Sequence, residues 1–580
     1  MLTEESNSLA LESALRSALE ANPFDAQAHH ELGNFLRSRG RMVEAESSLR
    51  QAFKLAPRSE DALVSLINVI TADGRLDEAV SVLQRALAEH GDDYRAYMLL
   101  GGLLGFLERI DEAQVAFGRA LRIKPESVEA HLGLSDVLLA VGAVEEGVQM
   151  LRLAKTLAPY DAAVHQSLIV ALCLCAEDPG IILKECLAFA SLHEAPLITH
   201  AVPHRNERSP GRRLRLGYVS PDFRGHALAQ FLMPVLVHRD RAAFEVVCYS
   251  VVTTPDETTR QMMKLVDVWR DVRHLPDAQL ADLIRADEID ILIDLNLHLK
   301  GSRLLAFACR PAPIQIQWLG YMGTTGLQSI QYRLTDPFLD LPDATCTLDR
   351  YSETLVRLPQ TFACFDPRLG LGKTIPTIGP LPARKNGNIT FGCLATPRKL
   401  TDHTLTLWAR VLAAIPSARL IQFAPTGWRE PLKRRIALHG IDVSRIEFVE
   451  RQARSVYLST YNRIDIGLET YPYHGYTTSL DAAWMGVPTP TRVGGGTCSR
   501  AGRSILENLG LGELIAQDDM QYVQIVTRLA GDLERLANLR ANLRRTVERS
   551  PLVDGVRFTR HLENALRELW RKWCASQVAC

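Results

Sequence analysis

Residues 23–56 read PFDAQAHHELGNFLRSRGRMVEAESSLRQAFKLA, and residues 57–90 read PRSEDALVSLINVITADGRLDEAVSVLQRALAEH. Laid over each other, they agree at a period of 34 residues. Leu32, Leu66, Leu100 and Leu134 keep that step. So do Ala45, Ala79 and Ala113, with Gly147 next in line, and Ala52, Ala86, Ala120 and Ala154. Pro23, Pro57, Pro125 and Pro159 lie on the same grid, with Gly91 where one proline is missing. A fixed period of a few tens of residues marks a repeat architecture.

Each unit reads as helix, turn, helix. Small residues at Ala45 and Ala52 let helices approach, and Leu49, Leu83, Phe117 and Leu151 fill the space between. Gly40, Gly74 and Gly142 fall at the inner turn, where positive φ is often required. The prolines close each unit, because proline cannot continue a helix. The pattern resembles the tetratricopeptide repeat from Phe24 to Tyr160, with a half unit before it and a helical cap reaching Leu192. We expect an α-solenoid over 1–192, stacked on one continuous core. Its groove suits protein or peptide acceptors; bracing the next domain is the other use, and a homodimer is left open.

Around this repeat the chain is 580 residues long, too long for one domain. Its 66 Lys+Arg against 67 Asp+Glu argue against wrapping a nucleic acid, which leaves a basic excess. The arginines between Arg205 and Arg215 read as a solvated surface. No apolar stretch is long enough for a membrane helix, and the acidic start carries no signal-peptide pattern. The 11 cysteines are scattered without a C-x-x-C, so we expect a reducing compartment, the cytoplasm, and no zinc site.

From Arg212 the pattern changes to short β-rich runs alternating with helices. Strands are expected at 214–219, 244–251, 289–295, 313–318 and 333–335, then at 389–392, 419–423, 446–449, 465–468 and 489–493. Such alternation means parallel sheets wrapped by helices. We expect a linker at 193–211, one Rossmann-like domain at 212–375, a join at 376–387, and a second at 388–580 with closing helices.

Ligands in such sheets bind beyond the carboxyl ends of the strands. Five polar constellations fall there. Ser220 to His226 offers a histidine at a helix start, able to act as base or to orient a hydroxyl. Asn296 to Gly301 contributes His298. Gly320, Tyr321, Gly323 and Thr324 belong to a Gly-Thr loop able to present N–H groups to phosphate, and with His298 they are expected to line an acceptor and sugar cleft. Lys399 follows the 389–392 strand. Gly475-Tyr476-Thr477-Thr478-Ser479-Leu480-Asp481 opens a helix, with capping-box spacing between Thr478 and Asp481. A helix start with a nearby lysine suits a diphosphate, and Asp481 suits ribose hydroxyls. There is no P-loop, no dinucleotide fingerprint and no Asp-x-Asp, so no metal or cofactor is expected.

Five segments now stand in order: LRLGYVSPDFRGH (214–226), RPAPIQIQWLGYMGTTG (310–326), TPRKLTDHTLTLWARVL (396–412), YHGYTTSLDAAWMGVPT (473–489) and SRAGRSILENLG (499–510). Following the repeats, they resemble the O-linked N-acetylglucosamine transferase family, glycosyltransferase family 41. The resemblance covers nearly the whole chain and implies a GT-B fold of two Rossmann-like domains. It implies that His226 lies near acceptor and sugar, and that Lys399 stabilises the departing diphosphate. It implies phosphate and ribose contacts from Thr477, Thr478 and Asp481, and a phosphate contact at Thr396. Arg454 and Tyr457 fall around the nucleoside, and Asp287 aligns with an aspartate once proposed as base. Tyr476 stands where the family has a histidine beside the diphosphate, and Gln230 where it has a second one after His226. The long insertion of animal members is missing.

The expected reaction is inverting, metal-independent transfer of GlcNAc from UDP-GlcNAc to Ser or Thr hydroxyls. The acceptor proton goes to His226, to the sugar phosphate, or through water. A different donor (GDP-fucose or UDP-glucose) and a non-catalytic repeat scaffold are the alternatives.

Overall fold

The computed structural model describes residues 2–198, 202–342, 350–372 and 375–576. Residues 199–201 of the expected linker and 373–374 near the expected join lie outside the described residues. The chain packs as two compact units. The first holds the residues up to Ala140, with Gln149–Ala158 and Thr426–Pro431. The second holds Val141–Val148, Pro159–Pro425 and Leu432–Cys580. Among the described residues no helix is long and apolar enough to cross a membrane.

In the first unit the 34-residue grid becomes helix pairs, Ala26–Ser38 with Met42–Leu55, Glu60–Ala72 with Leu76–His90, and Tyr94–Phe106 with Ile110–Ile123. Ala45, Ala79 and Ala113 are fully buried against the helices they admit. The inner turns are left-handed at Gly40, Gly74 and Gly142, and Glu108 takes φ 62° at the grid position that lacks a glycine.

Two further grids appear that the apolar pattern did not disclose. Asp25, Ser59, Asp93, Ser127 and Asp161 each accept a hydrogen bond from a first-turn N–H of the helix that follows. Each cap satisfies a donor that would otherwise lack a partner, worth ~1 kcal/mol. Arg41, Arg75 and Arg109 bind Glu44, Glu78 and Glu112 at 2.6, 2.9 and 2.7 Å. Arg41 and Arg75 also reach Glu12 and Glu46 of the preceding repeat.

The second unit carries two main parallel sheets. The first joins β1 (Leu214–Ser220), β2 (Phe244–Ser250), β3 (Val268–Asp271), β4 (Ile291–Asp294), β5 (Ile314–Gln317), β6 (Tyr332–Thr335) and β7 (Thr354–Arg357). Their order is β3-β2-β1-β4-β5-β6-β7. The second joins β8 (Thr390–Cys393), β9 (Arg419–Phe423), β10 (Ile446–Val449) and β11 (Ile466–Gly467), in the order β10-β9-β8-β11. A parallel pair, β12 (Thr491–Arg492) and β13 (Ile515–Ala516), stands apart. The strands expected from sequence form where expected. The edge strands β3 and β7 were missed because they are short and carry Arg, Asp and Thr among few apolar residues.

The capping helices belong by packing to the second unit, not to the solenoid. Cys186 and Phe189 of the helix Pro179–Phe189 are fully buried in one core with Tyr249, Leu292 and Leu304 of the first sheet and its helices. The last helix, Gly555–Ala575, returns to the first sheet, where Phe558 stacks on Trp318 at 6.1 Å. Three arginines around the start of β1 make structural contacts. Arg212 and Arg215 pair with Asp290 and Glu288, and Arg208 lies 4.1 Å over Trp573.

Candidate active site

Strand order locates the site. In the first sheet growth reverses between the neighbours β1 and β4, and in the second between β8 and β11. Ligands in open α/β sheets bind outside the carboxyl ends at such a switch point. The loops there are Pro221–His226 and 295–300 in one sheet, 394–399 and 468–475 in the other.

Lys399 ends the single turn Pro397–Lys399 after β8. Its Nζ donates to the His474 carbonyl at 2.8 Å and lies 4.3 Å over the Tyr473 ring. Burial lowers its pKa to about 8, with Glu469 opposing that shift. His474 is followed by Gly475, the N-cap of the helix Tyr476–Trp484. A Cβ at Gly475 would stand 2.3 Å from the Thr478 hydroxyl, so a side chain there would displace that hydroxyl. The first helical N–H groups have no partner within the helix and face this mouth. Thr477 and Thr478 are half-buried, and Thr396, before the Lys399 turn, is exposed.

One turn further, Asp481 is 1% exposed. Arg454 grips its carboxylate with two bonds, 2.7 and 2.6 Å long. Arg454 opens the helix Arg454–Thr460, which also carries Tyr457. The Tyr457 hydroxyl meets that of Tyr461 at 3.0 Å, and Tyr461 donates to the Thr478 carbonyl at 3.0 Å. Arg454, Tyr457, Thr478 and Asp481 are thus one connected group.

Across the mouth, His226 caps the helix Ala227–His238, its Nδ1 accepting from Leu228 N at 3.3 Å. Asp222 lies 3.6 Å from the same nitrogen, and the ring is 43% exposed. Lost solvation lowers the His226 pKa, with Asp222 opposing. The two sides are joined in the core. Phe231, on the helix that His226 caps, packs on Tyr476 with ring centroids 5.5 Å apart. Thr497 Oγ1 and Cys498 Sγ both donate to the Met322 carbonyl. Among the described residues no group of three or more His, Cys, Asp or Glu converges as metal ligands would.

A family model described as glycosyl transferase family 41 matches residues 185–371 and 384–562. The chain belongs to glycosyl transferase family 41. Tetratricopeptide repeat models match 9–60, 36–103 and 107–169. Over 382 residues the chain is 37% identical to a Petunia hybrida protein named probable UDP-N-acetylglucosamine–peptide N-acetylglucosaminyltransferase SPINDLY, covering 64% of this chain and 40% of that one. A Caenorhabditis elegans UDP-N-acetylglucosamine–peptide N-acetylglucosaminyltransferase is 26% identical, covering 66% of this chain and 42% of that one. The chain therefore spans about two fifths of the length of these curated relatives. Among solved structures, a lysine-to-methionine variant of a Thermobaculum terrenum O-GlcNAc transferase matches with TM-score 0.79 and 36% identity, over 90% of this chain and 98% of that one.

Not every position implied by the family resemblance reaches the mouth. Asp287 does not. Its carboxylate pairs with Arg270 at 2.7 Å and accepts from the Tyr249 hydroxyl at 2.8 Å. Its carbonyl accepts from Arg215, near the start of β1, while His226 follows the end of β1. About five residues of strand, roughly 16 Å at 3.3 Å per residue, separate these levels. Asp287→Asn is expected to change kcat/KM less than about threefold, measured by donor turnover, because no reacting group lies within reach.

His298 is fully buried, its Nε2 bonded to the Thr325 carbonyl at 2.8 Å and its ring edge-on to Phe189. Burial pushes its pKa down to about 3, so it stays neutral. Part of the Gly-Thr loop is tied into the structure. Glu353 accepts from Thr325 N and from the Thr324 and Thr325 hydroxyls, and Glu194 from Gln328 N and Ser329 N. Gly320 is exposed at the loop edge, whereas Tyr321 and Gly323 are buried, the ring where a Cβ on Gly323 would go. The Tyr476 ring is buried against Phe231 and Phe362. The capping box also fails. The helix begins before Thr478, whose hydroxyl donates to the Gly475 carbonyl, and Asp481 belongs to Arg454.

Sequence reading missed Glu469 and Tyr473. Both lie in the loop after β11, the one beside Lys399. The available signal was a carboxylate directly following an apolar strand, Ile466-Gly467-Leu468-Glu469.

Proposed function

We propose that the chain is an inverting, metal-independent glycosyltransferase that moves GlcNAc from UDP-GlcNAc to Ser or Thr hydroxyls of proteins. One observation carries the reading: Lys399 Nζ is bonded to the carbonyl that leads into the Tyr476–Trp484 helix. A cation beside a helix N-terminus is matched to charge growing on a departing diphosphate. The names of the relatives supply donor and acceptor class.

In this reading the hydroxyl attacks the anomeric carbon in line, the bond to the diphosphate oxygen breaks, and UDP leaves. Lys399 and the N–H groups of Tyr476, Thr477 and Thr478 receive the charge. Arg454, Tyr457 and Asp481 form the nucleoside wall, with Thr396 at its phosphate side. His226 acts as a donor. Its Nδ1 already accepts from Leu228 N, which favours the tautomer carrying the proton on Nε2. The acceptor's proton then leaves to the sugar phosphate or through water.

Radiolabelled UDP-GlcNAc, UDP-glucose and GDP-fucose, each offered with a protein acceptor, test the reading. GlcNAc label on Ser or Thr is expected. Transfer from another donor alone reassigns the sugar, and no thermal shift with any nucleotide marks a non-catalytic scaffold.

The Lys399 pKa also sets a pH dependence. The cation is present below about pH 8 and lost as pH rises through it. The kcat/KM for donor should therefore fall above pH 8. A Lys399→Arg variant, charged throughout, should lack that limb. A wild-type profile level through about pH 9.5 would contradict this role.

A further inference from the structure

Glu469 is a carboxylate of this mouth that the proposed reaction does not use. Glu469 is 5% exposed and follows β11. One oxygen accepts from Thr470 N at 3.0 Å and Gly475 N at 2.9 Å, and the other from the Ser479 hydroxyl at 2.7 Å. Its own backbone is fixed as well, its N–H donating to the Tyr522 hydroxyl and its carbonyl accepting from Trp408 Nε1. Glu469 thus ties both ends of the 470–475 loop to the first turn of the helix. That loop carries the His474 carbonyl and the Tyr473 ring against which Lys399 rests.

We propose that Glu469 is a positioning residue: it shapes the helix start that receives the diphosphate and serves as the counter-charge that keeps Lys399 cationic. This rests on the proposed reaction for its catalytic consequence, but not for its electrostatics.

The geometry gives the first half. Gly475 N is the last donor before the helix, and Glu469 takes it. The Tyr476, Thr477 and Thr478 N–H groups are left for a ligand. A carboxylate binding Ser479 and Gly475 together sets the angle at which those groups emerge.

The surroundings of Lys399 give the second half. Lys399 Nζ binds the His474 carbonyl, which adjoins the Gly475 N–H that Glu469 accepts, and the titratable groups around it are Glu469, Cys393, Cys498, His474 and Tyr473. Burial pushes both thiols up to about 12, pushes the Tyr473 phenol well above its ordinary value, and lowers the His474 pKa. All four are therefore uncharged near neutral pH. Glu469 is the group among them that supplies negative charge, and a nearby opposite charge favours the ionised form.

The test uses the full chain carrying Glu469→Gln, which keeps the shape and can still accept from both N–H groups while losing the charge. Two readouts are taken against pH. One is the labelling of Lys399 by trace acetic anhydride, quantified by mass spectrometry, which reports its titration whether or not the enzyme turns over. The other is kcat/KM for donor. Glu469→Gln should move the Lys399 titration, and the alkaline limb with it, down by about one unit. Glu469→Asp should leave the titration within a few tenths of wild type while lowering kcat, because the charge remains but the reach is shorter. Ser479→Ala, which removes one bond and no charge, should not move the titration. If the Lys399 titration is the same in wild type and a folded Glu469→Gln variant, the inference is overturned. If Glu469→Gln does not fold, an altered titration in Glu469→Asp or Ser479→Ala overturns it in the same way. A shifted titration in a chain that transfers no sugar supports the electrostatic role and refutes the proposed reaction alone.

Discussion

Lys399→Ala is expected to lower turnover by about 10²–10³-fold, the usual cost of removing one preorganised donor from developing negative charge. Donor affinity should change less, because the helix start and the Arg454 group remain. The fold should survive. Among the described residues Lys399 makes one side-chain hydrogen bond, to a backbone carbonyl, and no salt bridge. Its lowered pKa also means that burial already works against the charge, so truncation removes an unfavourable contribution along with a favourable one. Single-turnover measurement of labelled product, beside a thermal melt, checks both halves. Turnover near wild type in a folded variant would remove Lys399 from the reaction.

The second large effect is on stability. Arg454→Met should destabilise the second unit by about 3–5 kcal/mol, the cost of leaving a buried carboxylate without its partner. Asp481 is almost fully buried, and both of its oxygens are held by Arg454. Adding Asp481→Asn should restore most of that loss, because the uncompensated charge is gone. Nucleotide binding should remain weak in both variants, since the Tyr457–Tyr461–Thr478 chain loses its anchor. Denaturant melts and UDP titration of the two variants measure this. An Arg454→Met variant as stable as wild type would show that the pair does not hold the wall together.

These expectations concern residues whose types were visible early and whose contacts were not. Lys399 and the Thr477–Thr478 turn were legible because each follows a recognisable strand. Arg454 and Asp481 were assigned separately, one to the nucleoside and one to ribose, yet they bind each other across 27 residues. Asp287 aligns with an aspartate once proposed as base, but it sits toward the other end of the sheet from His226, held by Arg270 and Tyr249. The Gly-Thr loop had a phosphate-binding composition, and Glu353 takes the Thr325 N–H and both threonine hydroxyls. In each case the missing information was the partner, which lies far away in sequence.

The sequence alone determined the repeat, because a helical hairpin is specified by apolar spacing, turn glycines and caps within 34 residues. It also determined the alternation of strand and helix, and so the parallel sheets, by the same local rules. Strand order was decided only in the tertiary structure. That order brings the ends of β1 and β4, and of β8 and β11, beside one another, and selects which polar loops share a mouth. The physical reason is that a parallel strand, buried on both faces, shows little in its own residues of which neighbours it will pair with. The 34-residue period is a short-range property, and the site is a long-range one.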